Sequence, residues 1–102
     1  MTDAQYHLYA RLFDAALEVD RASSDATGRK FGAMLHVDLH GPIAGAALRA
    51  WASCRAVEVV PEVLERVDSM QRMTWTRLRV VSVAGIVTLI SVHLGDDLME
   101  AA

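Results

Sequence analysis

The sequence contains little cysteine, proline or glycine. Its 102 residues include one cysteine, two prolines and six glycines, whereas hydrophobic residues make up 53%. The single cysteine, Cys54, has no partner for an internal disulfide, which favours a reducing compartment. The high apolar content excludes a disordered chain. We therefore predict a single globular domain over residues 1–102 that is cytoplasmic, exposes part of its apolar surplus and self-associates.

The sequence also lacks a long apolar run, a secretion signal and an excess of positive charge. Its longest apolar run, residues 80–94, includes Ser82, Thr88 and His93, and it is shorter than the roughly 20 residues of a membrane-spanning helix. The opening "MTDAQ" has no basic region followed by an apolar one. A net charge of −3 gives no overall attraction to nucleic acid or to an acidic membrane. We expect neither as a partner, and we predict that the arginines at positions 66, 72, 77 and 79 form a solvated face.

Helical periodicity is present in three segments. Thr2 and Gln5 have the spacing of a capping box, and apolar residues then recur every three or four positions, which predicts a surface helix over residues 3–20. An alanine-rich segment keeps helical spacing at least over residues 46–58. Pro61 interrupts this segment, and helical spacing resumes over residues 61–72. The sequence therefore predicts a long helix with a kink or break at Pro61.

Alternating apolar residues and β-branched residues mark the strands. Apolar residues at every second position from Phe31 to Leu39 predict a half-buried strand that reaches His40, and Gly41 and Pro42 end or turn it. β-Branched residues dominate from residue 74 onward and predict two further strands, 75–83 and 86–94, which are separated at Gly85. A turn follows at residues 95–97. Residues 42–46 fit either a return strand or the start of a helix. This order predicts an α+β fold, in which an antiparallel sheet packs against a long, kinked, Ala-rich helix and an N-terminal helix.

His36, Asp38 and His40 form the sharpest candidate site in the sequence. In a regular strand they point to one side, and imidazoles at this spacing can share a metal ion. A closed site needs a further ligand, and the spacing secures none; the candidates are an acidic residue elsewhere or His7, His93 or Cys54. Such a pattern lies on a solvated strand face more often than at a metal site. We therefore predict that the protein binds no metal and no cofactor.

No other pattern completes a catalytic site, so we predict no catalytic residues. The sequence has no glycine-rich phosphate loop, no pair of catalytic acids and no Ser/His/Asp order. Cys54 has no basic neighbour on its helix face to activate it, which favours a buried structural cysteine. Large aromatic side chains are more typical of a core or an interface than of base stacking. The candidates for interface residues are Trp51, Trp75, Tyr6 and Phe13.

The order of elements is similar to that of the Roadblock family. The resemblance rests on the N-terminal helix, the segment "GAMLHVDLHGPIAGAAL", the Ala-rich helix and the segment "LRVVSVAGIVTLISVHLGDDLMEAA". Glycines that close β-hairpins in that family match Gly41 and Gly85, and its Gly-Asp turn matches Gly95 and Asp96. The resemblance implies a hairpin that turns at His40 and Gly41. It also implies a non-catalytic homodimer, an adaptor or regulator that is a platform for small GTPases or other protein partners.

Two shorter strings resemble other families. "VDLHG", with "AL" at 47–48, is similar to the opening of Smr-type nuclease domains, which implies roles for Asp38 and His40 at a nucleic-acid site. "TWTRLRVVSVAG" resembles the Trp-x-Arg segment of Bcl-type apoptosis regulators, which implies a central helix that the β-branched composition disfavours. A strand over residues 42–46 favours the Roadblock-like order, and a helix that begins at Pro42 favours the Smr-like one. A homodimeric interaction module is the leading hypothesis, and a nucleic-acid-binding or nicking domain is the alternative.

Overall fold

The structure, a computed structural model, describes residues 1–22, 35–82 and 87–95. These residues form the elements α1 (Asp3–Ala22), β1 (Val37–His40), α2 (Pro42–Arg55), β2 (Val60–Val67), β3 (Arg72–Val81) and β4 (Thr88–Leu94). Residues 31–34 of the first predicted strand lie outside the described residues, as do Gly85 and positions 96 and 97 of the predicted turn.

Helix α1 forms where the capping-box spacing predicts a helix. The backbone N–H of Gln5 donates to Thr2 Oγ1 over 3.1 Å, and the backbone N–H of Thr2 donates to Gln5 Oε1 over 2.9 Å. Helical spacing then buries Ala10, Phe13 and Leu17 on one face. The predicted helix over residues 3–20 is therefore confirmed, and α1 continues to residue 22.

Helix α2 begins directly after β1, with Pro42 in its first turn. Proline suits this position because it has no N–H to leave unpaired and because its φ is already helical. Gly41 precedes it with φ 103° and ψ 162°, a conformation that is essentially restricted to glycine. Residues 42–46 are therefore helical, as in the Smr-like order, and the hairpin expected at His40 and Gly41 is wrong.

The Ala-rich helix is shorter than predicted. It ends at Arg55, where Ala56 adopts a left-handed conformation (φ 53°, ψ 40°) and turns the chain out of the helix. The backbone N–H of Val57 still donates to the carbonyl oxygen of Ala52 over 3.1 Å. The helix therefore stops before residue 58, and it has no kinked continuation.

Residues 61–72, predicted as a second helical piece, form β2 and the turn to β3 instead. β2 pairs antiparallel with β3, from Val60 opposite Arg79 to Val67 opposite Arg72. The prediction is wrong because the apolar positions of this segment fit a helix and a strand alike, and the presence of a partner strand decided between them. Pro61 is tolerated because it lies on an edge strand.

The sheet is mixed, with the strand order β1-β4-β3-β2. β3 runs antiparallel to both of its neighbours, whereas β4 runs parallel to β1. The α+β class is confirmed, but the expectation of a purely antiparallel sheet is wrong, because α2 and the β2–β3 hairpin return the chain so that β4 lies parallel to β1. β3 and β4 confirm the two strands predicted after residue 74, and β3 contradicts the helix of the Bcl-type resemblance. No helix in the described ranges is long and apolar enough to span a membrane.

The core lies between the two helices and one face of the sheet. Trp51 of α2 and Phe13 of α1 are fully buried, and their ring centroids are 5.4 Å apart. They pack in one cluster with Val37, Ile90 and other buried strand residues. Because side chains alternate along a strand, the residues between these buried positions point to the opposite face of the sheet, away from the helices.

Candidate functional site

Asp38 and His40 lie on the sheet face opposite the helices, which we call the polar face. They alternate along β1 with Val37 and Leu39, which pack in or against the core. Both polar residues are exposed, and so is His36, which precedes β1. The structure therefore places Asp38 and His40 together on one side of an edge strand.

The parallel pairing of β1 with β4 brings His93 to these two residues. His40 is opposite His93 in the register, and the two imidazole rings stack with their centroids 4.9 Å apart. His93 Nε2 lies 3.0 Å from Asp38 Oδ1. In the sequence His93 is one of several candidate donors, because spacing along the chain does not reveal which strands are neighbours.

Trp75 of β3 fixes the position of the proton on His93. The indole Nε1–H donates to His93 Nδ1 over 2.9 Å. An indole nitrogen can only donate, so Nδ1 must be the unprotonated nitrogen that accepts. The neutral imidazole therefore carries its proton on Nε2, the nitrogen that lies 3.0 Å from Asp38 Oδ1. The two ring nitrogens of His93 therefore face different side chains, Nδ1 toward Trp75 and Nε2 toward Asp38.

Two arginines of β3 extend the polar face. Arg77 donates to Glu62 of β2 through Nη2, and Arg79 Nε lies 3.6 Å from the second carboxylate oxygen of Glu62. Within the described part of the chain, the Nε atoms of both arginines are buried without a hydrogen-bond partner. The other two arginines, Arg66 and Arg72, are exposed, but the register places them on opposite faces of the sheet, so the four arginines do not form the single solvated face that was predicted.

The other candidate ligands do not join this cluster. His7 lies on α1 and Cys54 on α2, so the sheet separates these helices from the polar face. Among residues 1–22, 35–82 and 87–95, no three His, Cys, Asp or Glu side chains are arranged to hold a metal ion.

Cys54 is exposed, which contradicts the prediction of a buried structural cysteine. Cys54 follows Trp51 by three residues and Ala50 by four, which is the spacing of one helix face. The buried face of α2 instead includes Leu48, Trp51 and Ala52, and Ala50 is exposed like Cys54. Helical spacing showed that a buried face exists, but it did not fix which side of α2 meets the sheet.

The predicted interface residues divide into two pairs. Trp51 and Phe13 are fully buried inside the protomer, so they are not available to a partner. Tyr6 and Trp75 are partly exposed. Trp75 lies on the polar face, and Tyr6 lies on α1 against the edge of the core.

Three exposed apolar side chains lie on a two-stranded projection of the sheet, residues 63–75, which we call the β2–β3 arm. β4 pairs with β3 only from Thr76 onward, so the arm extends beyond the other strands. Val63, Val67 and Met70 are 74%, 68% and 90% exposed. The sequence analysis missed this surface because it assigned most of the arm to a helix.

A second apolar surface is a groove of about 290 Å³ between α1 and the start of α2. It is lined mainly by Leu8, Tyr9, Leu12 and Ile43. Leu8 and Ile43 are exposed, so substitutions in this groove can serve as a control for substitutions on the β2–β3 arm.

Asp14 joins the two helices through a cluster that also includes Trp51 and Arg55. The Trp51 indole N–H donates to Asp14 Oδ1 over 2.9 Å, and Arg55 donates to both carboxylate oxygens over 3.0 and 3.1 Å. The hydrogen bond from Arg55 lowers the pKa of Asp14 below its ordinary value of 3.8; partial burial opposes this shift and the Trp51 bond assists it. The same contact raises the pKa of Arg55.

We expect Asp14 to make folding stability depend on acid pH. Because the pKa of Asp14 is lowered in the folded state, its ionic contribution is present above 3.8 and is lost as the pH falls through the folded-state pKa. Asp14→Asn keeps an acceptor for Trp51 but removes the charge, so its unfolding free energy should converge with that of the parent chain below about pH 4. Asp14→Ala also leaves the buried indole N–H unpaired and should cost about 1–3 kcal/mol more near neutral pH.

Urea denaturation of the three proteins across a pH series measures these differences. An Asp14→Asn variant whose deficit stays constant into acid would contradict the ionic role of Asp14. Equal stability of the Asn and Ala variants would contradict the role of the indole hydrogen bond.

No protein-family model, curated protein or solved structure matches the chain.

Proposed function

We propose that this chain is a homodimeric interaction module, an adaptor or regulator without chemistry of its own. The observation that carries the proposal is the exposure of Val63, Val67 and Met70 on the β2–β3 arm. Fully burying a side chain of this kind stabilises an assembly by about 1.5–3 kcal/mol. A second copy of the chain that covers the arm would recover part of this free energy, and a closed dimer is the commonest way in which identical chains do so.

The polar face supports the same proposal. His93 uses one ring nitrogen toward Asp38 and the other toward Trp75, and Glu62 engages Arg77. These groups hold one another in a fixed arrangement, which suits a stable surface more than a reacting centre. The proposal extends to a protein partner for the dimer, such as a small GTPase, and this extension rests on the Roadblock resemblance alone.

Light scattering across a concentration series tests the proposal. We expect a mass of two chains that falls toward one chain on dilution. A variant with Val63→Ser and Val67→Ser should dissociate at higher concentrations than the parent chain. The matched control, Leu8→Ser with Ile43→Ser, alters another exposed apolar surface and should leave the mass unchanged. A mass of one chain up to high micromolar concentration would overturn the proposal.

The alternative is a nucleic-acid-binding or nicking domain similar to Smr-type domains. The observation that favours it is the helix that begins at Pro42, directly after the strand that carries Asp38 and His40. A nicking and binding assay with the double variant Asp38→Ala and His40→Ala tests it, and His7→Ala, which changes an exposed histidine on α1, is the control. Activity that the double variant abolishes and the control retains would favour this alternative.

A further inference from the structure

β2 is an edge strand, and half of its backbone groups point away from the sheet. Asp68 and Gln71 exchange both backbone hydrogen bonds, with N···O distances of 2.8 and 3.3 Å. Hydrogen-bonded and non-hydrogen-bonded pairs alternate along an antiparallel ladder, so the odd-numbered residues of β2 direct their N–H and C=O groups outward. These residues are Val63, Glu65 and Val67, together with Pro61, which has no N–H. Among the described strands, none covers this edge.

Such an edge matches another copy of itself. Two identical strands pair antiparallel around a two-fold axis perpendicular to the sheet, and this axis leaves each residue on its own face. The register is then defined by the residue that lies on the axis and meets its own copy. Four of these registers, with the axis at positions 62 to 65, keep most of β2 paired.

Charge selects one of the four registers. With Glu62 or Glu65 on the axis, a charged residue directly opposes its own copy, which is unfavourable. With Val63 on the axis, Glu62 opposes the second copy's Leu64. With Leu64 on the axis, Glu62 opposes the second copy's Arg66 on both sides of the axis, and two attractive pairs flank a Leu64–Leu64 contact.

Resting on the proposed function, we propose that two copies of this chain dimerise by pairing their β2 edges antiparallel, with Leu64 on the two-fold axis. Two four-stranded sheets then become one continuous sheet of eight strands. Val63 and Glu65 of each copy form the hydrogen-bonded pairs that flank the axis. Pro61 lies opposite the second copy's Val67, and Val63 lies opposite its Glu65, so each exposed valine gains a neighbouring side chain from the second copy.

The rest of the protomer leaves room for this arrangement. Both helices pack mainly against β1 and β4, which lie toward the opposite edge of the sheet from β2. Glu62 already accepts from Arg77, and a carboxylate has about four acceptor positions, so it can accept from the second copy's Arg66 as well. The two polar faces lie on the same side of the dimer.

Disulfide cross-linking tests the register. The exposed Cys54 is first changed to serine, and Val63→Cys, Leu64→Cys and Glu65→Cys are made singly in that background. Only the residue on the axis has its own copy directly opposite, within the Cα separation of about 7 Å that a disulfide tolerates; its neighbours meet their own copies only diagonally or farther apart. We expect Leu64→Cys to form covalent dimers about tenfold faster than the other two variants. Faster cross-linking of either neighbouring variant would overturn the register.

A charge reversal gives a second measurement that does not depend on a new bond. Arg66→Glu should weaken dimerisation about tenfold, because two attractive pairs become repulsive, and Arg66→Gln should weaken it less. Circular dichroism verifies that both variants fold. Equal dimerisation of the parent chain and both variants would overturn the inference.

The two proposals fail in different ways. A parent chain that remains a monomer overturns both. A parent chain that dimerises, with Leu64→Cys unreactive and Arg66→Glu without effect, overturns the β2 edge and leaves the homodimer standing.

Discussion

We expect the replacement of Trp51 by alanine to lower the free energy of unfolding by about 3–5 kcal/mol. Trp51 is fully buried, packs against Phe13 and donates its indole N–H to Asp14. The substitution therefore creates a cavity between α1, α2 and the sheet, and it removes the bond that joins the two helices. A domain of this size has a total stability of about 5–15 kcal/mol, so the variant should lose a large share of its stability and unfold at a clearly lower urea concentration.

Urea denaturation followed by circular dichroism measures this loss, and Trp75→Ala is the matched control. Trp75 is the same residue type but is only partly buried, so its replacement should cost clearly less. Trp51→Phe should also cost less than Trp51→Ala, because it keeps most of the ring packing and loses only the indole donor. Equal losses at the two tryptophans would show that the core is not organised around Trp51.

We expect Gly41→Ala to cost about 1–3 kcal/mol of stability, even though no atom lies within 4 Å of the added methyl group. Gly41 has φ 103° and ψ 162°, a conformation that an L-residue with a side chain adopts only under strain. Its backbone N–H donates to the carbonyl oxygen of His93 over 2.8 Å, and its own carbonyl accepts from Gly45 over 3.1 Å. A shift at Gly41 would therefore disturb both the start of α2 and the contact between His40 and His93.

Gly95→Ala is the matched control for Gly41→Ala. An alanine at Gly95 also meets open space, and Gly95 does not have the positive φ of Gly41. Both substitutions reduce the flexibility of the unfolded chain to a similar extent, so this effect cancels when the two variants are compared. Chemical denaturation of the pair isolates the strain at Gly41. A Gly41→Ala variant as stable as Gly95→Ala would contradict that strain.

The sequence predicts only part of the polar face. Alternation along β1 puts Asp38 and His40 on one side, and this follows from local geometry alone. Their contact with His93 depends on the parallel register of β1 and β4, and the bond from Trp75 depends on the pairing of β4 with β3. Strand order is a property of the whole chain, so spacing could name His93 as a candidate but could not select it.

Local signals determined the first helix and the two central strands. The capping box of Thr2 and Gln5 closes within one turn, and β-branched residues fit a pleat wherever the strand lies, so α1, β3 and β4 could be predicted from the sequence. Only the tertiary structure decided residues 61–67, because their apolar spacing suits a helix and a strand equally. Pairing with residues 72–79 supplied ladder hydrogen bonds and gave Glu62 and Glu65 arginine partners across the strands. These contacts join residues that no local pattern connects. They make this segment a strand and not the predicted helix, and this strand is the exposed edge on which the proposed dimer depends.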